Sequence, residues 1–100
     1  MARMPYEIIL APEAVADLKR LSARLRATAA DALDIHLRHE PTRTSRSRIK
    51  RLRGLSKPQY RLRVDPLRIF YDVTEGRVEV LAIVNKAQAA AWLDREGRRS

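Results

Sequence analysis

Three arginines in the second half of the chain have the chemistry and the spacing to hold a phosphate group. Arg61 and Arg63 lie two residues apart in the alternating segment YRLRV, and Arg68 follows in the segment LRIFYDV. A guanidinium group presents a planar fork of N–H donors that matches the oxygens of a phosphate. Because residues two apart in a strand point to the same face of a sheet, the three side chains could converge on one anion.

Alternation of apolar and polar residues predicts three consecutive strands that carry these arginines. The strands cover residues 60–64, 67–73 and 78–84. Asp65-Pro66 and Glu75-Gly76 lie between them and are typical of tight turns. We therefore expect an antiparallel meander in which two-residue turns fix how the strands pair.

The expected pairing places two like charges directly opposite each other. Arg63 faces Arg68 across the first hairpin, which destabilises an antiparallel pair unless an anion bridges the side chains. The pairing therefore predicts a phosphate site, and the alternative is that each arginine folds outward onto Asp72, Glu79 or solvent. The same alternation gives the arginine side of the sheet three apolar residues, Phe70, Leu81 and Ile83.

The rest of the chain predicts helices that pack on this meander. Residues 6–10 are typical of a strand, one helix begins at Pro12, and a second helix ends before Pro41. The Ala-rich run 86–95 predicts a short terminal helix that ends at Gly97. We expect this helix to cover the apolar residues on the arginine side through Ala87, Ala90, Ala91 and Leu93. The order βααβββα predicts an α+β fold, with two N-terminal helices packed on a mainly antiparallel sheet.

Positive charge is concentrated in one quarter of the chain. The sequence has 21 Lys and Arg against 12 Asp and Glu, a formal charge of +9. Nine basic residues and no acidic ones lie between Glu40 and Asp65, in a segment expected to be mostly loop. Such a block attracts phosphate backbones, so we predict RNA binding, with a solvated loop as the alternative. The candidate contacts are Arg43, Arg46, Arg48, Lys50, Arg51 and Arg53.

Composition excludes several classes of protein. The chain has no Cys, which excludes disulfide scaffolds and thiol catalysis, and 100 residues are too few for a multidomain enzyme. His36 and His39 have a spacing that suits a metal, but no further ligand completes a site, so we expect neither metal nor other cofactor. No apolar run is long enough to span a membrane. We expect a cytoplasmic protein with one domain, residues 1–97, and a disordered basic tail, residues 98–100.

Two adjacent segments, YRLRV at 60–64 and LRIFYDV at 67–73, form a pattern that is fairly specific to one protein family. Together with YEIIL at 6–10, RLRG at 51–54 and GRVEVL at 76–81, they give the chain a resemblance to the RelE/ParE superfamily of bacterial toxins. The resemblance extends through almost the whole chain. It implies a compact RelE-like, microbial-RNase-like α+β fold and an antitoxin that wraps the toxin.

For RelE-like members, the resemblance implies metal-independent cleavage of mRNA in the ribosome. The ribose 2′-OH attacks the adjacent phosphorus, which requires a base, an acid and stabilisation of the developing charge. Arg61 and Arg63 match positions of catalytic basic residues, and Arg68 matches the transition-state arginine. Lys86 would add charge and Trp92 would stack on a base. Because an indole cannot exchange a proton, the sequence leaves the general acid and base unassigned, and a lysine or arginine cluster with a lowered pKa could serve.

Three functions are compatible with this resemblance. The first is a ribosome-dependent mRNA endonuclease toxin. The second is a ParE-like toxin that inhibits DNA gyrase by binding it and needs no proton donor, and the third is an RNA-binding or inactive relative. For a toxin we expect a cognate antitoxin of the RelB-like or Phd/YefM-like type, which pairs with the arginines or displaces the terminal helix. The expected antitoxin contacts are Arg61, Arg63, Arg68, Phe70, Leu81 and Ile83.

Overall fold

The computed structural model describes residues 4–100, and its main elements follow the predicted order. The N-terminal half contains β1 (Glu7–Leu10), α1 (Pro12–Arg20), α2 (Ala23–Ala32) and a π-helical turn (Leu33–Leu37). Six strands follow it, together with a 3₁₀ turn and a third helix. They are β2 (Ile49–Arg51), β3 (Leu55–Lys57), β4 (Tyr60–Val64), β5 (Leu67–Thr74), β6 (Arg77–Asn85), the 3₁₀ turn (Lys86–Gln88), α3 (Ala89–Glu96) and β7 (Arg98–Arg99).

The two N-terminal helices have recognisable start signals. Helix α1 has Pro12 in its first turn, where the backbone N–H has no partner within the helix and its absence costs nothing. The negative charge of Glu13 in the same turn stabilises the positive end of the helix dipole. Helix α2 is capped by Ser22, whose Oγ accepts a hydrogen bond from the Leu25 N–H at 3.2 Å. The break between the helices is therefore only two residues long.

The main sheet has five strands in the order β1-β6-β5-β4-β2, with β1 parallel to β6 and the other pairs antiparallel. The predicted pairing of β4 with β5 is confirmed, because Arg63 lies opposite Arg68 and Leu62 opposite Ile69. Between β5 and β6, Tyr71 pairs with Val80 as expected. A mixed α+β fold with a mainly antiparallel sheet is the result.

Helices α1 and α2 cover one face of this sheet and enclose the larger core. Its buried members alternate along the strands as predicted and meet small residues of the helices. This cluster includes Ala14, Ala29, Ala32, Leu37, Leu62, Leu67, Ile69, Tyr71, Val78 and Val80. The Tyr71 hydroxyl donates a buried hydrogen bond to the Pro41 carbonyl at 2.6 Å and so fixes the chain that leaves the helical layer.

A β-bulge in β6 overturns one predicted position. The pairing shifts by one residue between Tyr71 and Phe70. Tyr71 pairs with Val80, but Phe70 lies opposite Ala82 and Ile69 opposite Ile83. Ile83 therefore faces the helices, in the larger core, and its placement on the arginine side was wrong. The bulge adds one residue to β6, and every residue beyond it changes face.

A buried carboxylate of α1 completes the hydrogen bonding of β6 beyond the end of β1. Asp17 Oδ2 accepts a hydrogen bond from the Ile83 N–H at 2.9 Å, and Asp17 Oδ1 pairs with Arg20. Asp17 is thus the buried charged residue that attaches helix α1 to the sheet.

Short strands lie in the segment predicted to be a loop with at most a short strand or turn, and in the tail predicted to be disordered. Within the predicted loop, β2 pairs with β4 and β3 pairs with β7. Because β7 is Arg98–Arg99, the tail predicted to be disordered is instead paired with the chain, and the Ser100 N–H donates to the Gly54 carbonyl at 3.2 Å.

Candidate functional site

The predicted arginines lie on the sheet face opposite α1 and α2, which we call the arginine face; it comprises Lys50, Arg61, Arg63 and Arg68. Strand β4 contributes Arg61 and Arg63, and β5 contributes Arg68 directly opposite Arg63. Lys50 of β2 pairs with Arg61 in the register, so it shares the same face. Three neighbouring strands therefore bring four cations together.

A single carboxylate of the chain bridges two of these cations. Arg63 Nη2 lies 3.0 Å from Asp65 Oδ2, and Arg68 Nη1 lies 2.8 Å from Asp65 Oδ1. Hydrogen bonds from Arg63 and then Arg68 lower the pKa of Asp65 to about 2. The arginine pair thus does meet an anion, but this anion is the residue in the turn between the two strands.

Arg61 differs from the other two arginines in its surroundings. Its side chain is half-buried, and its Nε is buried with no hydrogen-bond partner within residues 4–100. Burial lowers the pKa of Arg61, and the charges of Arg68 and Arg63 lower it further. An N–H donor in that position gains most from an anion, because an unpaired buried polar group is costly.

The floor beside the arginines is an aromatic pair. Phe70 is fully buried, and Trp92 of α3 stacks on it with ring centroids 4.8 Å apart and an angle of 6° between the planes. The Trp92 indole N–H donates to Glu13 at 3.2 Å. Trp92 is only 4% exposed, so it docks helix α3, and stacking on an RNA base would require displacement of that helix.

The apolar cover of this face differs from the prediction in its details. The prediction that helix α3 covers it is confirmed for Leu93 and wrong for Ala87, Ala90 and Ala91, which are exposed. Trp92 and Ala89 provide the rest of the cover. Of the three predicted apolar residues, Phe70 and Leu81 belong to this smaller cluster, and Ile83 belongs to the other face.

Lys86 lies near the turn that holds the bridging carboxylate. Its backbone N–H donates to the Pro66 carbonyl at 2.9 Å, and its side chain is exposed. Asn85 begins the 3₁₀ turn that follows, because its side chain accepts a hydrogen bond from the Gln88 N–H at 3.1 Å. Lys86 is thus at the border of the arginine face.

The basic segment 43–53 is spread over more than one surface. Lys50 belongs to the arginine face, whereas Arg51 pairs with Tyr60 and lies over its ring at 5.2 Å on the other side of the sheet. Arg43 forms an ion pair with Glu40 at 2.8 Å. Arg48 donates to the Arg63 carbonyl at 3.3 Å. Arg46 and Arg53 are exposed.

The sequence predicts Asp65 only as a turn residue and does not predict its role as the bridging carboxylate. The signal was present, because Asp65 lies two residues after Arg63 and three before Arg68. In the part of the chain that is described, no group of three or more His, Asp or Glu side chains could hold a metal ion. None of the described helices is long and apolar enough to cross a membrane.

Comparison with known proteins decides the family. A family model described as the ParE toxin of the type II toxin–antitoxin system parDE matches residues 8–90. The chain belongs to the ParE toxin family. It is a toxin of the RelE/ParE type from a type II toxin–antitoxin system, and the predicted resemblance is confirmed. None of the curated proteins matches the chain in sequence.

Solved structures of RelE toxins share the fold. The toxin in a RelBE toxin–antitoxin complex from Mycobacterium tuberculosis is 23% identical, with a TM-score of 0.66 over 86% of this chain and 97% of that one. The RelE–RelB complex from Pyrococcus horikoshii gives 21% identity and a TM-score of 0.67, over 83% and 97% of the two chains. The RelB–RelE complex from Methanococcus jannaschii gives 17% identity and a TM-score of 0.57, over 84% of this chain and 96% of that one.

Proposed function

We propose that this ParE-family toxin is a ribosome-dependent endoribonuclease that cleaves mRNA on its arginine face. One observation carries the proposal: Arg61, Arg63 and Arg68 converge on one face, and the buried Nε of Arg61 has no partner among the described residues. Asp65 joins only Arg63 and Arg68, whereas an anion with several oxygens would join all three guanidinium groups. A phosphodiester of single-stranded RNA has that chemistry.

The reaction needs little beyond positioning and charge. The ribose 2′-oxygen forms a bond to phosphorus, the bond from phosphorus to the 5′-oxygen breaks, and a 2′,3′-cyclic phosphate remains. In our proposal Arg63 and Arg68 donate to the non-bridging oxygens, where negative charge grows in the transition state. Arg68 is only 13% exposed, so its charge is poorly screened by water and acts strongly on the phosphorane.

Arg61 is the proposed proton donor to the leaving 5′-oxygen. Burial, with the nearby charges of Arg68 and Arg63, lowers the pKa of Arg61 and makes its proton easier to release than that of an ordinary arginine. The proton of the 2′-OH passes to water or to a group of the ribosome. Asp65 is a poor base for that step, because its pKa of about 2 leaves it with little affinity for a proton.

The test is primer extension on mRNA in a purified translation system. The wild type is expected to cut translated message, and Arg68→Ala is expected to lower the cleavage rate by about 100-fold or more, the usual loss for one donor to a developing charge. Arg77→Ala is the matched control, since Arg77 is an exposed arginine at the far end of β6. Cleavage by Arg68→Ala at the wild-type rate, or no cleavage by the wild type, would refute the proposal.

Gyrase inhibition is the second candidate, and two observations favour it. The matching family model is that of ParE, and within residues 4–100 the arginine face carries neither an imidazole nor a phenol. A toxin that acts only by binding protein needs no acid or base. Inhibited DNA supercoiling by purified gyrase, together with intact mRNA in the translation system, would decide for this function.

We also propose a cognate antitoxin that covers the arginine face. Its acidic side chains would pair with Arg61, Arg63 or Arg68, and an apolar helix of the antitoxin would displace α3 from Phe70 and Leu81. The RelE structures that share this fold were solved as complexes with RelB. A complex in which the arginines stay open to solvent and α3 stays in place would contradict this proposal.

A further inference from the structure

The Asp65 carboxylate occupies the position that an anion would take between two arginines. It accepts hydrogen bonds from two strands. Arg63 donates to Oδ2 from Nη2 at 3.0 Å and from Nε at 3.2 Å, and its Nε also lies 3.4 Å from Oδ1. Arg68 Nη1 donates to Oδ1 at 2.8 Å. Arg68 uses the same Nη1 for the Leu67 carbonyl, at 2.9 Å. The donors that would hold a phosphate are therefore already engaged by a group of the chain.

The ion pairs of Asp65 with Arg63 and Arg68 can break while the rest of the fold stays intact. Asp65 is 55% exposed and lies in the turn between β4 and β5, so its side chain can rotate into solvent without disturbing a packed core. The pair with Arg63, which is 45% exposed, contributes little, because water solvates both partners well when they separate. Arg68 is only 13% exposed, so its pair contributes more, and its guanidinium group needs another anion when the carboxylate leaves. Arg61, by contrast, has its buried Nε unpaired and makes no such contact with Asp65 in the described structure.

We propose that Asp65 is an internal competitor for the anion site, and that a phosphate binds by displacing its carboxylate from Arg63 and Arg68. The identity of the natural ligand as RNA rests on the proposed function, whereas the competition itself does not. An isolated anion must break two ion pairs and then stay near a displaced negative charge, so it binds weakly. A ligand held by further contacts, such as RNA on the exposed basic segment, overcomes that cost. Asp65 thus favours polymeric over free phosphate.

The test compares inorganic phosphate binding to the wild type, Asp65→Asn and Asp34→Asn. Asp34 is the matched control, because it forms an exposed ion pair with Arg38 in the π-helical turn and its change removes the same charge. NMR signals of the arginine Nε–H groups at pH 7 give a dissociation constant at the site itself. Asp65→Asn is expected to bind phosphate about five- to tenfold more tightly, because the ion pairs of Asp65 with Arg63 and Arg68 no longer have to break.

The controls decide between this inference and simple charge effects. Asp34→Asn is expected to bind phosphate as the wild type does, and Arg68→Ala in the Asp65→Asn background is expected to lose the gain. Equal or weaker phosphate binding by Asp65→Asn, or an equal gain for Asp34→Asn, would overturn the inference. If Asp65→Asn does not fold, the wild type decides: phosphate must shift the Asp65 carboxyl carbon toward the value of a free aspartate, and an unmoved signal overturns the inference.

Failure of the proposed function is detected separately. If Asp65→Asn gains affinity for phosphate but the wild type leaves translated mRNA intact, the competition stands and the nuclease does not. If mRNA is cut but the phosphate affinities are equal, the nuclease stands and the role of Asp65 as a competitor is refuted.

Discussion

Removal of the Trp92 side chain is expected to destabilise the toxin strongly, because this residue attaches helix α3 to the sheet. Trp92 is 4% exposed, stacks on Phe70 at 4.8 Å and donates to Glu13 at 3.2 Å. Truncation of a buried aromatic residue costs about 3–5 kcal/mol through lost burial and the cavity that remains. A domain of this size has about 5–15 kcal/mol in total, so Trp92→Ala should lose a large part of its stability.

The assay is urea unfolding followed by circular dichroism, since Trp92 is the one tryptophan in the sequence and its fluorescence disappears with it. Each kcal/mol corresponds to about 4–8 °C in Tm for a domain of this length, so Trp92→Ala should melt at least about 12 °C lower. Trp92→Phe keeps the stacking and loses the hydrogen bond, with an expected loss of about 1–2 kcal/mol. Ile35→Ala is the control, because Ile35 is 68% exposed. A loss below about 1 kcal/mol for Trp92→Ala would refute the proposed docking role.

Three further predictions concern buried and paired polar groups. Asp17→Ala should cost about 1–3 kcal/mol in urea unfolding, because a buried N–H of β6 loses its acceptor, and an unchanged midpoint would contradict that role. Tyr71→Phe should lower the free energy of unfolding by about 1–3 kcal/mol, because the Pro41 carbonyl loses its donor, and a Tm equal to that of the wild type would speak against the bond. The pKa of Asp65 is lowered to about 2 in the folded chain, so its ion pairs stabilise the fold above its ordinary pKa of 3.8 and lose that effect as the pH falls toward 2. The free energies of unfolding of the wild type and Asp65→Asn, measured from pH 7 to pH 2, should therefore differ by a constant amount above pH 5 and converge as the pH falls below 4. A constant difference over the whole range would contradict the ion pairs.

The strand pairing could be predicted because it depends on local signals. Alternation fixes which residues share a face, and the two-residue turn at Asp65-Pro66 fixes the register, so the position of Arg63 opposite Arg68 followed directly. The bulge at Leu81 depends on tertiary packing: Ala82 must fit under Trp92 while Ile83 fills the core against the helices. Neither a glycine nor a turn residue marks that position in the sequence.

The sequence predicts the three arginines of the candidate site but not the Asp65 carboxylate that bridges two of them. Side-chain spacing places Arg61, Arg63 and Arg68 on one face, but it does not say where a flexible carboxylate in the adjoining turn will point. The position of Trp92 is also a tertiary matter, because an aromatic residue on a short helix can equally face the sheet or a ligand. The strand Arg98–Arg99 has no pattern of its own, since it exists only through its pairing with β3.

We propose that Arg61, Arg63 and Arg68 hold a single phosphate. A crystal structure with a short RNA whose 2′-hydroxyls are methylated tests this most directly, because such an RNA binds but cannot attack its own phosphorus. We expect one phosphate within hydrogen-bond distance of at least two of these guanidinium groups, including the Arg61 Nε, with the Asp65 carboxylate turned toward solvent. RNA bound elsewhere, with Asp65 still joining Arg63 to Arg68, would contradict it.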